Sequence, residues 1–278
     1  MKRNIFGNKT VWITGASSGI GEALSKELCA QGARLVISGR DTDSLERIAE
    51  RCCEAENPIR PILVPFDVSD HAQFPSIVKR VFDTVGTVDI LINNAGVGQR
   101  SDALSCRPDT VRKIMDVNFF GPVFLTQELL PSMIKRGSGR IVVVASVLGK
   151  FHLPGRSAYS ASKHALIGYF NTLRTELGTS GIGVTVVCPG WIATNISQNA
   201  LTADGTKYEK TTPRRSSKMS AETCSRHIIR AIAAQKNEAT MGGIETLGGL
   251  LHTLSPKLFD WVVRRRSGEF HYTRSQSK

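Results

Sequence analysis

Six short apolar runs, separated by longer helix-like segments, constrain the fold of this 278-residue chain more than any other feature. They are VWIT (11–14), RLVIS (34–38), ILVPF (62–66), VDILIN (88–93), RIVVVAS (140–146) and GVTVVCPG (183–190). The runs are rich in Val and Ile and lack polar alternation, which is typical of strands buried on both faces of a parallel sheet. Such a sheet needs helices on both sides.

The segments between these runs place apolar residues at helical spacing and end near a glycine or a turn, as the crossover helices of βαβ units do. We therefore predict an α/β fold, a single doubly wound parallel sheet of the Rossmann type in three layers. After residue 190 a polar loop (195–218), a helix from Ser220 and a short strand near 239–241 are expected. The expected division is a domain over 1–245, which includes that loop, and a C-terminal helical extension with a basic tail over 246–278.

Charge and cysteine content narrow the classes of function. Two stretches, 207–218 and 264–278, supply eight of the twelve net positive charges, which favours solubility or attraction to an anion. Nucleic-acid binding is not expected, because no recognition motif or aromatic platform accompanies the charge. The six cysteines lack a C-x-x-C spacing, so reduced thiols are expected and no metal site is predicted. Without a secretory leader or a long apolar run, a cytoplasmic protein is expected.

A glycine-rich turn follows the first strand directly, in TGASSGIGEAL. Gly15, Gly19 and Gly21 allow a tight strand-to-helix turn, close approach of a phosphate to the backbone, and close packing of the following helix. The spacing is G-x-x-x-G-x-G, which differs from the general dinucleotide fingerprint G-x-G-x-x-G. Its position between a strand and a helix predicts a pyrophosphate site.

The end of the second strand, SGR, indicates which dinucleotide is preferred. An NAD site usually has an acidic residue here to bind the ribose 2′-hydroxyl, whereas Arg40 can bind a 2′-phosphate with paired hydrogen bonds. NADP(H) is therefore favoured over NAD(H). The alternative is that Arg40 merely begins a loop and that Asp41 or Asp43 reaches the ribose.

The stretch YSASKHA places a phenol, Tyr159, four residues before an ammonium, Lys163. On a helix the two side chains share a face, and a cation that favours the phenolate lowers the pKa of the tyrosine. A tyrosine tuned in this way can donate and accept protons. An ordinary Tyr and Lys on a surface helix have the same spacing, so the pair alone does not decide between the two interpretations.

Several motifs in fixed order resemble those of the short-chain dehydrogenase/reductase family, over nearly the whole chain to about residue 195. They are TGASSGIG (14–21), Asp67-Val68, NNAG (93–96), Asn118 in DVNFFG, Ser146 in VVVAS, YSASK (159–163) and PGWIAT (189–194). LTADG (201–205) and the tail LHTLSPKLFDWVVRRR further resemble the subgroup that includes dehydrogenase/reductase member 7B. The resemblance implies an NADP(H)-dependent oxidoreductase that acts on a secondary alcohol or its ketone.

The resemblance also implies a catalytic tetrad of Asn118, Ser146, Tyr159 and Lys163. Tyr159 would exchange a proton with the carbonyl or alcohol oxygen, and Ser146 would donate a hydrogen bond to that oxygen. Lys163 would lower the pKa of Tyr159 and hold the nicotinamide ribose, and Asn118 would hold a water that relays protons from Lys163. Taken singly, Asn118 could cap a helix bend and Ser146 could satisfy a strand end.

The same resemblance assigns the cofactor contacts. Asp67 and Val68 would contact adenine, Asn94 to Gly96 would line the cofactor, and Pro189 to Thr194 would frame the nicotinamide. The full set of expected cofactor residues is Gly15, Ser17, Ser18, Gly19, Ile20, Gly21, Arg40, Asp67, Val68, Asn94, Ala95, Gly96, Tyr159, Lys163, Pro189, Gly190, Ile192 and Thr194.

The substrate is expected to be an apolar carbonyl compound or alcohol, such as a lipid, a sterol-like molecule or a fatty ketone. The loop 195–218 would cover it, and Ser146, Phe151, His152 and Leu153 would line its pocket. His152 is expected to be a packed or solvent-facing residue rather than a catalytic base. The competing hypothesis is a non-catalytic NADP-binding sensor or scaffold, which the loss of a tetrad residue would favour, and none is missing.

The tail beyond these motifs is amphipathic. Its apolar residues are Leu247, Leu250, Leu251 and Leu254, followed after Pro256 by Leu258, Phe259, Trp261, Val262 and Val263, and then by Arg264 to Arg266. Two helices packed on the body, or on a sister subunit of a homodimer or homotetramer, are the favoured interpretation. Peripheral attachment of 246–266 to a membrane, with the arginines near anionic headgroups, is the alternative hypothesis.

Overall fold

The computed structural model describes residues 5–53, 59–208 and 219–266. The strands in those ranges are β1 (Thr10–Thr14), β2 (Arg34–Ser38), β3 (Ile62–Leu63), β4 (Ile90–Asn93), β5 (Gly139–Val144), β6 (Ile182–Pro189), β7 (Ile192–Ala193), β8 (Met219–Ser220) and β9 (Glu238–Met241). Seven of these described strands form one sheet in the order β3-β2-β1-β4-β5-β6-β9, and every pairing in it is parallel. The short strands β7 and β8 pair separately.

The helices cover both faces of this sheet. They are α1 (Gly19–Ala30), α2 (Thr42–Cys52), α3 (Phe74–Val85), α4 (Pro108–Met115), α5 (Gly121–Arg136), α6 (Ser157–Leu177), α7 (Ala221–Ala233), α8 (Gly248–Leu254) and α9 (Pro256–Arg266). Apolar residues of α1, α2 and α7 pack on one face, and apolar residues of α3, α5 and α6 pack on the other. The predicted three-layer, doubly wound α/β fold is confirmed.

Successive side chains along each strand belong alternately to the two hydrophobic cores. Val11 and Ile13 of β1 belong to the core beneath α1, α2 and α7, whereas Trp12 between them belongs to the opposite core. Successive side chains of a strand point to opposite faces, and a sheet covered on both sides must therefore be apolar at every position. The fully buried Trp12 also donates its indole N–H to Ser38 Oγ at 2.9 Å.

The third strand is shorter than the predicted 62–66, because Pro65 has no N–H to donate to the ladder. The chain nevertheless stays beside β2, since Val64 N and Phe66 N donate to Ile37 O and Gly39 O. The path therefore still delivers residues 67 and 68 to the carboxyl end of the sheet.

The order of the strands creates a crevice at one edge. The chain leaves β3 on one side of β1 and re-enters the sheet at β4 on the other side. Connections that diverge in this way leave a gap outside the carboxyl ends of the two central strands, where ligands of doubly wound sheets bind. Both glycine-rich motifs of the sequence, after β1 and after β4, lie at this point.

The two C-terminal helices divide their apolar residues between two faces. Phe259 and Val263 of α9 are buried against a cluster that contains Phe151, whereas Leu254 and Trp261 are 74% and 53% exposed. The expected packing on the body is thus present for one face only. The proposed domain boundary at residue 245 falls inside a short 3-10 turn, Ile244–Leu247. Residues 209–218 and 267–278, which carry most of the two basic stretches, lie outside the described residues.

Candidate active site

A cavity of about 1100 Å³ opens along the carboxyl edge of the sheet. Nearly all of the predicted site residues line it, including Gly15, Ser17, Ser18, Gly19, Ile20, Arg40, Asp67, Val68, Asn94, Ala95, Gly96, Ser146, Leu153, Tyr159, Lys163, Pro189, Gly190, Ile192 and Thr194. Gly21, Asn118, Phe151 and His152 are not among the lining residues. The four therefore need separate explanations.

The glycine turn brings the backbone of α1 to the cavity. Gly15 and Gly19 have positive φ angles of 63° and 59°, which L side chains rarely adopt. A Cβ on Gly21 would lie 2.1 Å from Gly15 O, so this position has no room for a side chain and supports the turn from behind. Ser18, the N-cap residue, makes no side-chain cap, which leaves the first N–H groups of the twelve-residue helix open to an anion. These features fit the pyrophosphate of a dinucleotide.

The NNAG motif fastens β4 to this turn. Asn94 Nδ2 donates to Thr14 O and Gly15 O, both at 3.0 Å, and the backbone N–H groups of Asn94 and Ala95 donate to Thr14 Oγ1. A Cβ on Gly15 would lie 2.7 Å from Ala95 Cα, so the two segments touch without any side chain between them. The motif thus holds the floor of the cavity as well as lining it.

At the far end of the cavity, Arg40 Nη1 lies 3.6 Å from Asp67 Oδ2. Burial raises the pKa of the Asp67 carboxyl, but hydrogen bonds from Ser69 and the charge of Arg40 outweigh it and lower the pKa overall. Asp41, the acidic residue that could reach the ribose in Arg40's place, caps α2 and accepts hydrogen bonds from Ser44 N at 3.1 Å and from Ser44 Oγ. Arg40 itself is well exposed to the cavity.

A π-helical turn, Asp116–Phe120, positions Asn118 between α4 and α5. Its amide is completely buried: Oδ1 accepts from Val97 N at 2.8 Å, and Nδ2 donates to Val97 O and Ser162 Oγ, both at 3.0 Å. The side chain therefore joins the segment after β4 to α6, and it does so one layer below the cavity surface. Extra-residue turns of this kind are frequent at functional sites.

Lys163 lies on α6, one turn after Tyr159, and is almost fully buried. Its ammonium donates to Val144 O at 3.0 Å and is 5.9 Å from the centroid of the Tyr159 ring. Because no carboxylate contacts it among the described residues, burial lowers its pKa to about 8. A Cβ on Gly96 would lie 3.5 Å from this ammonium and 3.2 Å from Asn118 Oδ1, so a glycine leaves room between these two groups.

Tyr159 does not show the lowered pKa that was predicted. Burial raises the pKa of its phenol, and the opposing effects come first from a hydrogen bond with Ser146 and then from the charge of Arg156. Lys163 is not among these opposing effects, and its ammonium donates to Val144 O instead. The expectation that Lys163 tunes Tyr159 is therefore not met in the protein by itself, and Arg156 is the cation that favours the phenolate.

The buried ammonium of Lys163 is expected to lower the stability of the folded protein. At pH 7 both the folded and the unfolded protein hold the Lys163 proton, and a pKa lowered from 10.5 to about 8 corresponds to up to about 3 kcal/mol of lost stability. We expect Lys163→Met to raise the free energy of unfolding at pH 7, measured in urea, by 1 to roughly 3 kcal/mol.

The pH dependence of the free energy of unfolding distinguishes the removal of a buried charge from improved packing of the new methionine side chain. Between pH 8 and 10.5 the unfolded wild type binds more protons than the folded form, so the wild type gains stability as the pH rises and the variant's advantage shrinks. Lys79→Met on the exposed face of α3 is the matched control. It should change neither the free energy of unfolding at pH 7 nor its dependence on pH. An advantage that stays constant to pH 10.5 would contradict a buried charge.

Of the three residues predicted to line the substrate pocket after β5, only Leu153 does so. Phe151 is buried beneath Phe259 of α9, with ring centroids 5.5 Å apart, and His152 is exposed and pairs with Asp260 at 3.1 Å. The sequence offered no sign that α9 would cover this segment. The assignment of Phe151 and His152 to the pocket is therefore corrected, whereas the expectation that His152 faces solvent agrees with its position.

Two residues that the sequence did not single out, Gln99 and Glu245, organise the site. Gln99 is fully buried, accepts from Tyr159 N at 3.1 Å through Oε1, and accepts from Arg156 through its backbone oxygen. Glu245 accepts from Trp191 N at 2.8 Å and so holds the PGW segment from the C-terminal side. No sequence motif marks these residues, because each acts across a long stretch of chain.

The site and the fold agree with known proteins. The sequence profile of the short chain dehydrogenase family matches residues 9–205. Dehydrogenase/reductase SDR family member 7B of Xenopus laevis is 40% identical over 262 residues, which cover 92% of this chain and 81% of that protein. The dehydrogenase/reductase SDR family protein 7-like of Drosophila melanogaster is 38% identical over 268 residues, or 95% of this chain and 82% of that protein.

A solved structure shows the same likeness in three dimensions. A short chain dehydrogenase/reductase from Burkholderia phymatum, in complex with NAD, matches with a TM-score of 0.78 and 26% identity. The match covers 96% of this chain and 99% of that one. The overall fold described above is therefore shared with a solved protein of that family.

Proposed function

The chain belongs to the short-chain dehydrogenase/reductase family of oxidoreductases that act on CH–OH groups, and on this premise we propose an NADP(H)-dependent enzyme. It would interconvert a ketone or aldehyde and the corresponding alcohol, with Tyr159 as general acid and base. The substrate would be largely apolar, and the alcohol would be a secondary one. The observation that carries the proposal is the meeting of Ser146, Tyr159 and Lys163 in one cavity with the glycine turn and Arg40.

The cofactor would be held along the length of this cavity. The open N–H groups of α1 would bind the pyrophosphate, Arg40 the 2′-phosphate, and Lys163 the nicotinamide ribose. The preference for NADP(H) rests on Arg40 together with the use of Asp41 as a helix cap. When bound, the nicotinamide supplies or accepts the hydride.

The chain's own residues handle the proton. During reduction the Tyr159 hydroxyl would donate its proton to the carbonyl oxygen, and Ser146, which lines the same cavity, would hold that oxygen. A phenol whose pKa is raised by burial keeps its proton at neutral pH and so suits reduction. Oxidation requires the phenolate, which Arg156 favours, and a proton relay past Lys163 and Asn118 would occupy the region beside Gly96.

The experiment that tests this function measures binding and turnover separately on the full chain. NADPH and NADH affinities come from protein-to-cofactor energy transfer, and turnover comes from the loss of nicotinamide absorbance with a panel of ketones and aldehydes. The proposal expects NADPH to bind more tightly and at least one carbonyl to be reduced. Tight NADPH binding without turnover on the whole panel would instead favour a sensor or scaffold.

The exposed face of α8 and α9 needs a partner, and we propose a second copy of this chain in a homodimer or homotetramer. The exposed apolar residues are Leu250, Leu254, Leu258 and Trp261, with Leu247 just before α8, and all are more than 40% accessible. An anionic membrane surface is the competing partner, because Arg265 lies over the Trp261 ring at 4.5 Å and adds positive charge. No described helix is long and apolar enough to cross a bilayer. A cytoplasmic location remains part of the proposal.

Substitution on this face distinguishes the two partners. We expect Leu254→Glu to convert the wild-type oligomer to a smaller species by light scattering, since a buried carboxylate without a partner opposes association. Leu104→Glu, at a similarly exposed leucine outside α8 and α9, should keep the wild-type mass. Sedimentation of the wild type with anionic vesicles, lost in Leu254→Glu and weakened by salt, would contradict the oligomer and favour the membrane.

Removal of the whole tail is not a suitable test. Truncation after Gly243 would uncover Phe151 and remove Glu245 from Trp191 N, and so disturb the site as well as the surface. The single substitution leaves these contacts in place.

A further inference from the structure

Two arginines lie together at the substrate end of the cavity, away from Arg40. Arg100 follows β4, and Arg156 is the N-cap residue of α6, three positions before Tyr159. Neither guanidinium pairs with a carboxylate among residues 5–53, 59–208 and 219–266. Their contacts are instead with a carbonyl, Gln99 O for Arg156, and with an aromatic ring, Tyr208 at 5.5 Å for Arg100.

One polar atom of this pair is buried without a partner. Arg100 Nε has no hydrogen-bond acceptor among the described residues, although it is shielded from solvent. A buried N–H that belongs to a charged group is costly unless it is satisfied. The protein's own described groups therefore leave the Arg100 guanidinium incompletely satisfied.

The charge of the cavity is uneven along its length. Its two described acidic lining residues, Asp41 and Asp67, both lie at the Arg40 end. The other end carries Arg100 and Arg156, with Lys113 and Lys207 also lining the cavity and the N-terminus of α6 adding partial positive charge. Cations that face one cavity without acids attract an anionic ligand.

The two arginines also disfavour each other's charge. Burial, and then the charge of Arg100, lower the pKa of Arg156 to about 10. Like charges close together in a partly buried place destabilise the fold unless a counterion joins them. The arrangement thus has the signature of a binding site rather than of a structural ion pair.

We propose that Arg100 and Arg156 bind an anionic group of the substrate, a carboxylate or a phosphate monoester, close to its reducible carbonyl. The closeness follows from Gln99, which joins the two parts of the site: its backbone oxygen holds Arg156 and its side chain holds Tyr159 N. Apolar lining residues such as Leu153, Trp191 and Leu201 would contact the rest of the molecule. The substrate class is then an amphipathic keto acid or hydroxyketone phosphate, which sharpens the proposed function and rests on it.

The test compares matched carbonyl compounds with and without the negative charge. Medium-chain α-keto and γ-keto acids are set against their methyl esters, and phosphate monoesters of hydroxyketones against the free hydroxyketones. For the wild type with NADPH we expect kcat/KM to favour the anionic member of a pair by at least about tenfold. The pair with the larger ratio tells a carboxylate site from a phosphate site.

The variants assign the preference to the arginines. Arg100→Gln should reduce the ratio at least about tenfold, and Arg100→Lys, which keeps the charge but not the paired geometry, should reduce it less. Arg112→Gln, on the exposed surface of α4 and outside the cavity, is the matched control and should keep the wild-type ratio. Circular dichroism and NADPH affinity show that each variant is folded.

A second readout does not depend on turnover. Calorimetric titration of the NADP⁺-loaded protein with a keto acid and with inorganic phosphate should detect binding that weakens with salt and is lost in Arg100→Gln. Equal kcat/KM for charged and neutral members, or anion binding unchanged by Arg100→Gln, would overturn the anion site and leave the oxidoreductase proposal standing. Turnover of no carbonyl, with anion binding intact, would contradict the oxidoreductase proposal and not the anion site.

Discussion

Tyr159→Phe is expected to lower kcat for carbonyl reduction by about 100-fold or more while NADPH binding stays within about twofold. The substitution removes the hydroxyl that would give its proton to the substrate oxygen and keeps the ring that lines the cavity. Because proton transfer belongs to the chemical step, the loss should appear in kcat more than in KM. Stopped-flow turnover and equilibrium NADPH binding measure the two effects.

The same helix provides a matched control for that experiment. Tyr169 lies on α6 with its hydroxyl accepting from Gln127 Nε2 at 3.1 Å, well away from the cavity lining. Tyr169→Phe should therefore reduce carbonyls at close to the wild-type rate. A Tyr159→Phe enzyme that does the same would show that another group delivers the proton.

Arg40→Asp is expected to weaken NADPH binding by about 100-fold and to spare or improve NADH binding. The substitution replaces a cation by an anion at the point where the 2′-phosphate would lie, and it brings a second carboxylate close to Asp67. The ratio of the two dissociation constants, measured by fluorescence, isolates the effect on the phosphate from any general loss of folding.

An exposed arginine on α3 serves as the control for charge reversal alone. Arg80→Asp changes the net charge by the same amount far from the cavity and should alter neither affinity. Equal losses for NADPH and NADH in Arg40→Asp would mean that Arg40 supports the fold and does not select the cofactor.

The fold could be predicted because its strands are buried on both faces. The central strands are buried along their length and mostly apolar, so their runs stand out in the sequence. The late strand β9, predicted near 239–241, was a weaker candidate, because its Glu238 and Thr240 are exposed. Boundaries were less predictable where one residue interrupts the ladder, as Pro65 does in β3. The packing of Phe259 on Phe151 could not be predicted from the sequence. An amphipathic pattern does not show which face of a helix packs against the rest of the protein.

The candidate site could be predicted only as far as contiguous motifs reach. The glycine turn, Arg40 and the Tyr159–Lys163 pair are local patterns with a direct chemical meaning, and all of them line one cavity. Gln99 and Glu245 carry no such pattern, since their side chains accept hydrogen bonds from backbone N–H groups 54 or more residues away. The direction of the Tyr159 pKa shift also depended on burial, which spacing on a helix does not reveal.

Transfer of isotope from cofactor to product tests the central proposal most directly. The full-length protein is incubated with NADPH deuterated at the transferable position of the nicotinamide and with a carbonyl compound that it reduces, and the alcohol is analysed by mass spectrometry. Direct hydride transfer predicts one deuterium on the carbinol carbon of the product and none from deuterated solvent at that carbon. An alcohol that carries solvent deuterium there, or NADPH that is bound and never oxidised by any carbonyl, would contradict the account.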